Sequence, residues 1–140
     1  MSRRYVIELS DQQAIVIQNA LNLYFRIMMG QWGELGMMAR FDMFAREDGT
    51  KFPASMYEPF DKLLEAVVAV AFGFRPGQSW GISCPEIPDV ARVACDIHDV
   101  IRHQRWVDEG GDEHGYSVAS WEPRRLSEHE ELPIIRRIEE

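Results

Sequence analysis

The chain has 140 residues, the size of one ordinary domain, and its two cysteines are too few for a disulfide scaffold. Fifteen Lys and Arg stand against 23 Asp and Glu, a formal net charge of -8 that repels phosphate backbones and argues against broad DNA or RNA binding. No run reaches the ~20 uninterrupted apolar residues that a bilayer requires, and the opening Met1-Ser2-Arg3-Arg4-Tyr5 does not read as a signal peptide. The expectation is a cytoplasmic protein without a membrane partner.

Tyr5-Val6-Ile7-Glu8-Leu9 is β-branched and aromatic and predicts a short strand. Ser10 and Gln13 then stand at the spacing of a capping box, which predicts a helix start. Over residues 14–29 the chain is apolar on most of its circumference, broken by Gln18, Asn22 and Arg26 at i, i+4 and i+8. Such a polar stripe on a buried helix needs partners, since an unsatisfied amide or guanidinium costs about 1–3 kcal/mol. The partner is either a carboxylate or carbonyl, within the fold or across a subunit interface, or an anionic ligand gripped by the arginine fork. Gly30 suits a left-handed helix end, and residues 31–38 continue as a turn or short helix. Gln31 and Trp32, one turn beyond Arg26, offer an amide and an aromatic surface to the same pocket.

Residues 45–53 read as a charged surface loop. Pro59 suits the first turn of a helix with a core face of Phe60, Leu63, Leu64, Val67, Val70 and Ala71, and Gly73 stops it. Trp80, after Arg75-Pro76-Gly77, is either a lid over the core or a platform for a ligand ring. The last helix runs from near Pro88 to about Val107. At about 100° per residue it puts Val90, Val93, Ala94, Ile97, Val100 and Ile101 on one face, and Arg92, Asp96, Asp99 and His103 on a solvated face opposite. Arg92/Asp96 and Asp99/His103 are then i,i+4 pairs. Cys95, His98, Arg102 and Arg105 lie between the faces, where His98 and Arg102 are candidates for a pocket wall. Residues 116–121 alternate with period two and predict a second strand, paired with the first. The acidic segment 127–140 is either a short docked helix or a frayed end.

The fold expected is mainly α (α+β): a single compact domain over residues 1–126, of three to four helices with a small two-stranded antiparallel sheet of N- and C-terminal strands, followed by an acidic tail over 127–140. The four histidines lack metal-ligand spacing, and no nucleophile elbow, zinc-protease or phosphate-loop motif is present. No catalytic residue, metal or cofactor is assigned.

The segments Arg26-Ile27-Met28-Met29-Gly30-Gln31-Trp32 and Ala94-Cys95-Asp96-Ile97-His98-Asp99-Val100-Ile101-Arg102-His103, with Ser79-Trp80-Gly81-Ile82, resemble a widespread family of small uncharacterised tailed-phage and prophage proteins. The resemblance covers most of residues 5–105 and implies a phage accessory protein in the host cytoplasm. Cys95 and His98 stand where that family leads one to expect larger aromatic side chains. Proteins of this kind interfere with host defence or metabolism, which ranks three expectations. The first is a non-catalytic counter-defence protein that sequesters a small anionic, nucleotide-like ligand with Arg26, Gln31, Trp32, Trp80, His98 and Arg102. The second is an inhibitor that binds a host protein through the Met37, Met38 and Met43 region. The third is a small nucleotide-processing enzyme. The wide apolar circumference of the first helix also leads us to expect a homo-oligomer.

Overall fold

The structure is a computed structural model that describes residues 3–115 and 117–139, without the side chains of Asp112 and His114. Among the described residues are four α-helices: α1 over Asp11–Met28, α2 over Gly33–Arg40, α3 over Tyr57–Phe72 and α4 over Asp89–Asp108. Short 3-10 turns lie at Ala54–Met56, Gly111–His114 and Val118–Ser120. The mainly helical class holds, and no described helix is long and apolar enough to cross a membrane. The chain forms two compact units, Met1–Tyr24 with Asp89–Glu140, and Phe25–Pro88, so α1 contributes to both.

In the first unit α1 starts where its capping box requires. The Gln13 N–H donates to Ser10 Oγ at 3.2 Å and the Ser10 N–H donates to Gln13 Oε1 at 2.8 Å, satisfying two otherwise orphan donors. Arg105 ties α4 to α1, donating from Nε to Asp11 Oδ1 at 3.2 Å and from Nη1 to Gln18 Oε1 at 3.1 Å. The upper part of the polar stripe thus finds its partner inside the fold.

The expected solvated face of α4 is corrected by the structure. Arg92 and Asp96 are buried, with Asp96 only 2% exposed, while Val90 on the expected core face is 52% exposed. The cause is the chain after residue 125, which runs over that face. The N–H groups of Leu126 and Ser127 donate to the two carboxylate oxygens of Asp96 at 2.8 and 3.0 Å, and the Glu128 N–H donates to Asp89 Oδ1 at 2.9 Å. Ser127 is itself buried and donates from Oγ to the Glu130 carbonyl at 2.8 Å. The predicted pairs change accordingly: Arg92 bonds Asp89 rather than Asp96, and Asp99 faces His98 and Arg102 rather than His103.

The two-stranded sheet is also corrected, because no strand occurs among the described residues. Residues 5–9 are irregular, with Tyr5, Val6 and Ile7 at least 74% exposed. Val118–Ser120 closes a 3-10 turn through donation from the Ser120 N–H to the Ser117 carbonyl at 3.0 Å, and Tyr116 lies outside the described residues. An isolated strand pair is marginal in water, and a local turn satisfies these backbone groups at shorter range.

The second unit gathers Phe25, Met29, Ala39, Val68, Phe74 and Ile87 as its buried apolar residues. Burying a side chain the size of Phe or Met contributes about 1.5–3 kcal/mol. Gly30 takes φ 74° and ends α1, and Gly73 takes φ 71° and ends α3 with its N–H on the Ala69 carbonyl. α2 packs on α3 at Gly36, where a Cβ would collide with Asp61 Oδ1. α2 exits through Asp42, whose φ of 54° is tolerated by Asp and whose carboxylate accepts the Phe52 N–H at 3.1 Å.

The expected core face of α3 needs correction too. Phe60, Leu64 and Val68 turn inward, whereas Leu63, Val67 and Val70 are 64%, 46% and 89% exposed and Ala71 is also exposed. α3 is apolar around most of its circumference, so its pattern does not say which side its eight-residue neighbour α2 covers.

Candidate functional site

The second unit holds a cavity of about 560 Å³, within the usual range for a small-molecule site. One wall is the turn after α1, with Gly30, Gln31, Trp32 and Gly33; α2 adds Met37 and Arg40. α3 presents Asp61, Leu64, Glu65 and Val68, which share a face because they fall at i, i+3, i+4 and i+7. The loop after α3 closes the site with Arg75, Gly77, Gln78 and Ser79.

Gln31 is the hinge of this wall. Its Oε1 accepts from Arg26 Nη1 at 2.8 Å, and its Nε2 donates to the Trp80 carbonyl at 3.2 Å. The Trp80 N–H in turn donates to the Met29 carbonyl at 2.9 Å, which holds the loop over residues 75–80 against the end of α1. Trp32 lines the cavity, and its indole N–H is committed to the Ile27 carbonyl at 3.1 Å. Arg40 grips Asp61 with both terminal nitrogens, Nη1 to Oδ1 at 3.1 Å and Nη2 to Oδ2 at 2.6 Å. That fork pulls the Asp61 carboxyl below its ordinary range, and the same hydrogen bond raises Arg40.

Of the residues expected to bind a ligand, Gln31 and Trp32 line the cavity. Arg26 supports it from behind, committed to Gln31 and to Glu34, whose Oε1 lies 3.3 Å from Nε. Trp80 packs edge-on against Phe74 at 5.1 Å between ring centroids, and Phe74 stacks on Phe72 at 5.3 Å. It is a half-buried brace of the aromatic core that does not line the cavity, and its carbonyl holds the Gln31 amide. Sequence reasoning missed Arg40, Asp61, Glu65 and Arg75. The legible signal was on α3, where Asp61 and Glu65 stand one turn apart on one face, beside the Glu58 and Lys62 pair.

His98 and Arg102 belong to the first unit. There His98 Nδ1 lies 2.9 Å from Asp99 Oδ1, Arg102 Nη2 lies 3.1 Å from the same oxygen, and Cys95 Sγ lies 3.9 Å from Asp99 Oδ2. Burial, then the charges of Asp99 and Asp96, push the Cys95 thiol up to about 12, so it is protonated and inert at neutral pH. Arg102 Nε and Trp106 Nε1 are buried without a hydrogen-bond partner among the described residues. The group is a carboxylate-centred network within α4. Among the described residues no three His, Cys, Asp or Glu side chains converge as a metal site would need. Comparison of the chain with protein-family models, with curated proteins and with solved structures finds no match.

Proposed function

We propose that the protein is a non-catalytic phage accessory protein that binds and sequesters a small anionic, nucleotide-like ligand in the cavity of its second unit, with counter-defence as its role. The carrying observation is the composition of the cavity wall: Arg75, without an ion-pair partner among the described residues, stands in one cavity with the Trp32 ring and with Met37, Leu64 and Val68. A guanidinium supplies bidentate recognition of an anion, and the apolar wall suits a flat ring. The phage assignment itself rests on the resemblance carried by residues 26–32 and 94–103. Holding rather than converting the ligand fits a wall whose amide and indole donors are committed to the fold.

A thermal-shift panel of nucleotides and cyclic nucleotides tests this reading. Ligand at a hundredfold excess over its dissociation constant stabilises the native state by about 2.7 kcal/mol, a readily visible shift that Arg75→Ala should abolish. Recovery of unchanged ligand from the heated complex supports sequestration, and recovery of a product supports the enzyme. The absence of any shift overturns the proposal.

A second reading, an inhibitor that docks on a host protein, is favoured by the exposure of Phe41 at 70%, Met43 at 60%, Met56 at 46% and Met37 at 45%. Its test is whether Phe41→Ser with Met43→Ser abolishes the complex with a purified host partner. A homo-oligomer, expected from the apolar helices, is tested by light scattering over a wide concentration range.

A further inference from the structure

The ligand class can be narrowed by asking which polar groups on the cavity wall are still available, and this step rests on the ligand-binding reading above. Gln31 is engaged at both ends of its amide, the Trp32 N–H is committed to Ile27, and Arg40 and Asp61 neutralise one another. Gln78 accepts the Arg75 N–H on its Oε1 at 3.1 Å. Two charged side chains of the wall have no ion-pair partner among the described residues, Arg75 and Glu65.

These two make opposite demands on an occupant. Arg75 offers a fork of donors to a phosphate or carboxylate. Glu65 offers two acceptor oxygens side by side and no donor, so a simple anion meets it as a like charge, while a pair of adjacent N–H groups meets it as a complement. Leu64, Val68, Met37 and Trp32 line the same cavity and suit an apolar, flat body. An occupant that satisfies all three carries an anionic group, a planar ring and two neighbouring N–H donors on the ring's edge. Among nucleobases guanine presents that edge, with its ring N–H beside its exocyclic amine. Adenine puts an acceptor nitrogen beside its amine, which would face the Glu65 carboxylate unpaired.

We infer that the cavity takes a guanine nucleotide, with phosphate on Arg75, the base's N–H edge on Glu65 and the ring against Trp32, Leu64 and Val68. Loss of a charge-assisted hydrogen-bond pair changes affinity by about tenfold or more, so GMP should bind at least about tenfold more tightly than AMP, with IMP between them.

Calorimetric titration of the full chain with GMP, IMP and AMP, repeated on Glu65→Ala and Arg75→Ala, tests the assignment. Glu65 is exposed, so Glu65→Ala should melt like the parent when unliganded. It should lose about tenfold in GMP affinity and with it the preference for GMP over AMP. Arg75→Ala should weaken GMP and AMP alike. Equal binding of GMP and AMP by the parent chain overturns the guanine assignment and leaves the nucleotide reading standing. A preference that survives Glu65→Ala overturns Glu65 as the reader. Failure of all three nucleotides to bind overturns both.

Discussion

Gly30 meets two demands that no other residue satisfies together. Its φ of 74° is left-handed, and a Cβ there would lie 2.7 Å from Cε2 of Phe74, a ring that is 7% exposed and held between Phe72 and Trp80. Gly30→Ala should therefore cost about 2 kcal/mol or more, a fall of about 5–8 °C in Tm by calorimetry. Gly73→Ala, with similar φ but open space around the glycine, should cost only the backbone part. The Arg40–Asp61 fork makes a pH-dependent contribution of definite sign. Because the hydrogen bond from Arg40 lowers Asp61 from its ordinary 3.8, its stabilisation is fully present above that value and is lost as pH falls through the lower, folded-state value. The Tm gap between the parent and Asp61→Asn should be steady from pH 7 to about 5 and should close as pH falls below 3.8 and through the lower folded-state value. A gap that persists unchanged into acid would assign the effect of the substitution to packing at Gly36 instead.

At the scale of elements, α4 works as a rack for the chain that follows it. Both oxygens of Asp96 and one of Asp89 accept backbone N–H groups more than thirty residues away or close to it, in Leu126, Ser127 and Glu128. Hydrogen bonds to a charged acceptor contribute about 1.5–3 kcal/mol each, and a buried site stripped of its acceptor leaves two N–H groups unsatisfied. Asp96→Ala should destabilise the fold by at least about 2 kcal/mol and make residues 121–139 the first to be cut in limited proteolysis. This element also shows what the sequence could and could not disclose. The Ser10/Gln13 box, the left-handed Gly30 and Gly73, and the extent of α4 were legible because each obeys a rule acting over a few residues. Asp96 read as solvated because its partner is a backbone segment, which leaves no side-chain pattern to find. The cavity was half legible for the same reason. Gln31 and Trp32 stand beside a helix end, whereas Arg40, Asp61, Glu65 and Arg75 come together only after α2 docks on α3 and the chain turns at Gly73.

For the molecule as a whole, charge and architecture are unevenly divided. Residues 25–88 carry six Lys and Arg against eight Asp and Glu, so the formal charge of -8 falls mostly on the other unit, and the unit that holds the cavity is itself nearly neutral. Ligand affinity should accordingly depend only weakly on salt once the contact with Arg75 is screened, in contrast to nucleic-acid binding. The two units also differ in what holds them. The first depends on Arg105 between α4 and α1 and on the carboxylate rack, the second on α2 against α3 and on the Phe72–Phe74–Trp80 cluster. Stabilisation by a ligand that contacts only the second unit should therefore slow amide hydrogen exchange chiefly within residues 25–88, most strongly at Gln31, Trp32, Leu64, Val68 and Gln78. Exchange at Leu126 and Ser127, whose N–H groups report on the rack, should stay at its unliganded rate. Hydrogen exchange followed by mass spectrometry, with and without saturating GMP, reads both sets in one experiment. Equal slowing in the two sets would mean that the chain opens as a single cooperative body, and slowing confined to α4 would move the ligand to the His98–Asp99–Arg102 network.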